Sequence, residues 1–289
     1  MDGRVDVRKT YKLFIGGAFP RSESGRTYVV TDAKGRFLAN ASQASRKDAR
    51  DAVLAARSAQ GAWWSATAYN RGQVLYRIAE MLEGRRAQFE EDIEKSEGVS
   101  GRRASAHLDA VIDRWVWYAG WSDKIAQVFG SSNSVAGPYT NFSVPEPTGV
   151  VAAIAPQRPS LLGFVSVVAP IIVSGNTCVV VASAECPLPA ISFAEVLATS
   201  DLPAGVVNIL TGAPGEIGPW LASHADVDAL DLSGVVDDGL ATEMAVAAAD
   251  TVKRVLAPPA HAPDWLADPG LGRIGAFVET TTIWHPQGV

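Results

Sequence analysis

GVVAAIA (149–155), TCVVVA (177–182) and VVNILTG (206–212) decide the fold. Each is a short, Val-rich, almost uninterrupted apolar run, which is how a strand reads when both of its faces are covered. Between the first two lies an apolar helix over 161–173, closed by Gly175. Between the second and third lies a helix over 187–199, with proline near its first turn. The alternation continues with a short helix over 215–223, the strand VDALDLSG (227–234), a helix over 237–249 and a last strand, VKRVLAP (252–258). Buried strands alternating with helices predict a parallel sheet with right-handed crossovers, an α/β doubly wound layer of Rossmann type.

Upstream the periodicity differs. TYKLFIGGAFP and GRTYVVTDAKGRFLANAS, with a turn at Ala33, Lys34 and Gly35, read as a β-meander over the first forty residues. Helices follow. Ser45 with Asp48 three residues on starts one, with Val53, Leu54 and Ala56 on its apolar side. Asn70 with Gln73 starts a second, with the stripe Val74, Leu75, Ile78, Leu82 and Phe89. A third spans 104–127 and carries Trp115, Trp117, Tyr118 and Trp121, read as packing aromatics. Residues 130–149 read as a loop or a protruding hairpin, 260–272 as a Pro-, Asp- and Gly-rich linker, and 275–286 as a final alternating strand.

Composition narrows the function. Of 289 residues, 47% are hydrophobic and 19% charged, and the net charge is −6. That is ordinary for a globular protein, and neither nucleic acid nor a membrane surface is expected as a partner. The polar start MDGRVDVRKTYK lacks a signal-peptide core, and the run 161–173 is too short to span a bilayer, so a cytoplasmic location is the expectation. Cys178 and Cys186 match no metal spacing and read as structural residues, and the four histidines have no partner at ligand or triad spacing.

LFIGGAFP, SGRTYVVTDAKG, WYAGWSDKI, EPTGVVAAIAP, SGNTCVVVAS, LPAGVVNILTG, SHADVDALDLSG and VKRVL stand in the order seen in aldehyde dehydrogenases. With AFVETTTIWHP as the terminal strand, the chain resembles that family. The resemblance implies an NAD-binding Rossmann domain over 1–129 and 149–259. It implies an oligomerisation hairpin and strand over 130–148 and 273–289, with 260–272 standing where the catalytic domain belongs. A domain normally needs about 50–200 residues, so an internal excision is implied.

The resemblance also implies lost chemistry. The family's nucleophilic cysteine lies in the missing part. Its oxyanion-hole asparagine aligns with Arg158, and its general-base glutamate with Pro258, which has no proton to trade. The lysine and glutamate that hold the adenosine ribose align with Val181 and Ala184, leaving Ser183 as the polar residue there. The serine that meets the pyrophosphate aligns with Val235, beside Asp237 and Asp238, whose charge repels a phosphate. Ser183, Gly212, Gly215, Ser233 and Gly234 remain as cofactor-side positions, although tight turns and close packing explain the glycines equally well.

The expectation is therefore a non-catalytic aldehyde dehydrogenase-like subunit with no catalytic residue and no cofactor, NAD being a weak possibility. Its partner would be a full-length homologue or a second copy. Because the family's terminal strand pairs with a neighbour's catalytic domain, a hetero-oligomer is favoured. Two rivals stand beside it: an NAD(P)-dependent aldehyde oxidoreductase with an altered site built on Arg158, Glu185 and Ser233, and a nucleotide-binding sensor that kept the Rossmann crevice.

Overall fold

The computed structural model describes residues 9–288; the polar segment 1–8, part of the signal-peptide reading, lies outside the described residues. The N-terminal part comprises β1 (Thr10–Tyr11), β2 (Thr27–Thr31) and β3 (Phe37–Ser42), then α1 (Arg46–Ser65), α2 (Ala68–Glu83), α3 (Arg86–Glu97), α4 (Gly101–Trp121) and α5 (Ile125–Phe129). Next come β4 (Ser131–Asn133) and β5 (Tyr139–Pro147). The Rossmann part follows as β6 (Val150–Ile154), α6 (Ser160–Val173), β7 (Thr177–Val181), α7 (Leu188–Leu197), β8 (Val207–Leu210), α8 (Pro214–Ser223), β9 (Ala229–Asp231), α9 (Asp238–Ala249) and β10 (Arg254–Leu256). The chain ends with α10 (Gly272–Gly275) and β11 (Val278–Pro286).

The α/β reading holds. Five parallel strands run in the order β10-β9-β6-β7-β8. Side chains on alternate positions enter two different cores. Val151, Ala153, Cys178, Val180 and Ile209 face α2, α3, α4, α6 and α7, whereas Val150, Ala152, Ile154, Val179, Val181 and Leu230 face α1, α8 and α9. Both faces being apolar is why the strands read as unbroken runs rather than alternations. Every residue of α6 is buried, since it lies between the sheet and α4.

The N-terminal meander is corrected. The small sheet has the order β1-β3-β2, with β1 parallel to β3. LFIGGAFP is not one of its strands: Phe14 exchanges backbone hydrogen bonds with Ile209 at 3.0 and 2.7 Å, so this segment pairs with the outer edge of the Rossmann sheet. Gly17, at φ +78°, makes that turn possible, because a Cβ there would lie 2.9 Å from Ala204 Cβ.

Ser45 and Asp48 form the expected capping box, but Leu54 faces solvent. The second helix begins at Ala68, two residues before Asn70, because the Thr67 hydroxyl caps it by accepting the Asn70 N–H. Phe89 belongs to a separate helix, α3, and the third predicted helix divides at Trp121. The hairpin and the terminal strand form a three-stranded antiparallel sheet, β11-β5-β4, with nine residue pairs between β5 and β11. Asn176, fully buried, accepts the Gly149 N–H at 2.7 Å and donates to Phe277 O at 2.8 Å, tying this terminal element to the Rossmann sheet.

Candidate functional site

In a doubly wound sheet the ligand crevice opens beyond the carboxyl ends of the strands, where the strand order reverses. Here that point lies between β6 and β9. Three loops converge on it, and most of their polar groups are already paired.

The loops after β6 and β7 clasp each other. Gln157 Oε1 accepts the Ala184 N–H at 2.9 Å. The Ser183 hydroxyl donates to Gln157 O and accepts the Cys186 N–H, both at 2.9 Å, and Ser183 is only 1% exposed. Arg158 donates to Glu97 O at 2.8 Å and to Glu185 Oε2 at 3.2 Å, the latter a surface pair worth little. Glu97 reaches from the end of α3 to the start of α6, where its Oε1 accepts the Ser160 N–H at 2.6 Å and the Ser160 hydroxyl at 2.7 Å. A carboxylate thus already sits at the positive end of that helix.

The loop after β9 is closed more tightly. Gly234 N donates to Ile154 O at 3.0 Å, and a Cβ on Gly234 would lie 2.3 Å from the Ala155 carbonyl. Asp231, with no exposed surface, accepts the Ser233 N–H at 2.9 Å and Arg273 Nη1 at 2.9 Å. Arg273 Nη2 donates to Ser233 Oγ at 2.7 Å, and the guanidinium lies over the Trp265 ring. Arg114 Nη2 donates to Trp265 O at 2.8 Å and Ala267 O at 2.9 Å. The segment predicted as a linker is therefore a strap seated across the crevice mouth.

The remaining predicted positions are scattered. Val181 and Val235 are buried in the core beneath α8 and α9, and Ala184 is half-buried at the Gln157 clasp. Pro258 follows β10 on the far side of β9. Gly212 adopts φ +132° against Gln43 and Ala44. Gly215, in the first turn of α8, borders open space. The start of α9 is capped by Asp237, whose Oδ1 accepts the Leu240 N–H at 2.8 Å.

Neither thiol suits nucleophilic work at neutral pH. Burial pushes Cys178 far up and Cys186 up to about 11, although Arg158 beside Cys186 pulls the other way. Among the described residues no cluster of His, Cys, Asp or Glu could hold a metal ion, and no helix is long and apolar enough to cross a membrane. Sequence reasoning missed Arg273, Trp265, Glu97 and Gln157. Gln157, inside the PQRP segment, was within reach of it, but Arg273 carried no local signal.

A profile of the aldehyde dehydrogenase family matches residues 19–258. The chain belongs to the aldehyde dehydrogenase family. It is 35% identical over 242 residues to aldehyde dehydrogenase family 2 member B4, mitochondrial, of Arabidopsis thaliana, covering 81% of this chain and 44% of that protein. To retinal dehydrogenase 2 of Gallus gallus it is 34% identical, covering 87% and 48%. Aldehyde dehydrogenase from Bacillus cereus, solved as an NAD+ complex, superposes with a TM-score of 0.80 at 26% identity, over 86% of this chain and 50% of the other. Betaine aldehyde dehydrogenase from Staphylococcus aureus, also solved with NAD+, superposes with a TM-score of 0.79 at 26% identity over 85% of this chain and 50% of the other. This family member thus spans about half the length of these relatives.

Proposed function

We propose that this family member is a non-catalytic subunit that assembles through its β11-β5-β4 sheet with a full-length aldehyde dehydrogenase, as a structural or regulatory partner. The observation that carries the reading is β11. Nine residues long, it pairs among the described residues with β5 on one side only and forms the edge of its sheet. Ile283 and Trp284 on it are 39% and 58% exposed. A long edge strand with apolar side chains is a template for pairing with another chain unless something covers it.

The crevice supports the same reading. Its residues fit a dinucleotide poorly: Arg273 occupies Ser233 and Asp231 at the switch point, Ser183 is spent on Gln157, and Asp237 stands where a pyrophosphate would approach α9. The polar groups that would meet a dinucleotide such as the NAD+ of the solved relatives are thus engaged within the chain itself. The domain limits implied by the resemblance, with 260–272 in place of a catalytic domain, belong to this proposal too.

Co-expression of the tagged chain with a full-length aldehyde dehydrogenase, followed by native mass spectrometry, tests the proposal. A complex of fixed stoichiometry is the expected result. A well-behaved monomer that ignores the full-length enzyme, or micromolar NAD binding by calorimetry, overturns it.

A further inference from the structure

A cleft of about 650 Å³ lies between the start of α4, the loop after β6 and the strap at 263–266. We propose that it is a binding site for a small oxyanion, the carboxylate or phosphate group of a soluble metabolite. The cleft adjoins the switch-point crevice, sharing Arg158 and the strap with it, and does not depend on whether the chain assembles with a partner.

Several hydrogen-bond donors on the cleft wall meet no acceptor among the described residues. Arg103 lines the cleft and is exposed, and its guanidinium has no hydrogen-bond or ion-pair partner among the described residues. Arg158 lines the opposite wall; its Nε and Nη1 are engaged by Glu185 and Glu97, which leaves Nη2 without a protein acceptor. His107 is 5% exposed and lines the same cleft, yet its Nδ1 has no hydrogen-bond partner. The nearest carboxylate oxygen, Glu97 Oε2, is 3.7 Å away, beyond bonding distance. A buried polar atom left in this state costs free energy unless a ligand or water meets it.

Helix geometry adds to the same side. α4 is 21 residues long, and its N-cap Ser100 makes no side-chain capping bond, nor is there an acidic residue in its first turn. The positive end of the helix, with Ser100 and Arg103 on the cleft wall, therefore draws no carboxylate from its own first turn; Glu94 Oε2 stands beside it, 3.7 Å from where a Cβ on Gly101 would lie. Contrast α6, whose N-terminus is already met by Glu97.

Two acidic groups also line the cleft, and both are partly committed. Glu97 Oε1 is held by Ser160, and Asp264 Oδ1 accepts the Leu266 N–H at 3.0 Å. The excess of unspent donors over free acceptors is what selects an anion. Trp265 supplies an apolar wall, and Arg114 holds that wall through Trp265 O and Ala267 O. The size suits a small metabolite.

The test titrates the full chain by calorimetry with inorganic phosphate and, separately, with succinate, each against chloride at matched ionic strength. Saturable binding of one anion per chain is expected, at least tenfold weaker in Arg103→Gln and in Arg158→Gln, and unchanged in Lys47→Gln. Binding of phosphate alone identifies a phosphate ester, of succinate alone an organic acid, and of both an undiscriminating oxyanion site; each supports the proposal. Neither anion exceeding chloride, or Arg103→Gln binding as the parent does, overturns it. Arg103 has no partner to lose, so its variant keeps the fold even if Arg158→Gln does not.

Discussion

Arg273 donates from Nη1 to Asp231 Oδ2 at 2.9 Å, across 42 residues of sequence, and Asp231 is wholly buried while Arg273 retains only 19% of its side-chain exposure. One residue ends β9, an inner strand of the parallel sheet; the other lies in α10, just after the strap and over its Trp265 ring. The pair therefore couples the strap to the sheet. Removing only the arginine strands a buried carboxylate, and breaking such a pair one-sidedly costs about 3–5 kcal/mol. Arg273→Met should lower the urea midpoint sharply. Asp231→Leu combined with Arg273→Met should recover much of the loss, because no charge is then left unpaired. Equal destabilisation by the single and the double variant would contradict this.

A second stability prediction concerns Asp48. Its Oδ2 accepts the Ser22 hydroxyl and the Ser45 N–H, both at 2.7 Å, and its Oδ1 accepts the Glu23 N–H at 3.1 Å. It is at once half of a capping box and the anchor of the segment before β2. Ser45→Ala loses one capping bond, about 1 kcal/mol. Asp48→Ala leaves several donors unsatisfied at a buried site and should cost two or more times as much. Chemical denaturation of both variants checks the ranking.

Stability should also fall at both ends of the pH range. Burial lowers the affinity of the His107 imidazole for a proton, so the folded state holds it neutral where an unfolded histidine, with a pKa of about 6.5, takes a proton up. Folding is therefore favoured above that pH and weakened as pH drops below it. The thiols act in the opposite direction. An unfolded cysteine ionises near about 8.5, whereas Cys186 keeps its proton up to about 11 and Cys178 beyond that. The contribution is complete below the unfolded value and is lost as pH rises toward 11. Urea midpoints between pH 5 and about pH 10 should trace a plateau with two falling limbs. Cys186→Ala should flatten the alkaline one, and thiol labelling of the native chain at pH 7.5 should be slow.

The parallel sheet was legible because both of its faces are apolar, so Val150 and Val151 carry the same signal although they enter different cores. Helix divisions in the N-terminal part were not. α3 begins at Arg86 behind Arg85, which makes no side-chain cap, so Phe89 reads as one more turn of the preceding stripe. Nor could the place of Phe14 be read locally, since its partner Ile209 is a tertiary neighbour. The substituted positions Arg158, Val181, Ala184, Val235 and Pro258 were found by family resemblance alone. What fills the crevice in their stead depends on Arg273, whose role arises only when the strap folds back.

The edge strand gives the most direct test of assembly. Trp284 packs edge-on to Tyr139 at 5.8 Å, and both are largely exposed. Ile283 precedes Trp284 in the strand and so is exposed on the opposite face, and the strand's registry with β5 is set by nine residue pairs. Trp284→Lys and Ile283→Lys change side chains that contribute little to the core, so the melting temperature of the isolated chain should move by a few degrees at most. If the edge is where another chain docks, the same substitutions place an ammonium in the interface and weaken association by tenfold or more, since an unpaired buried charge is costly there. Sedimentation velocity of the parent and variant chains, alone and with a full-length aldehyde dehydrogenase, separates the two effects. A variant that melts normally and still assembles normally moves the interface away from β11.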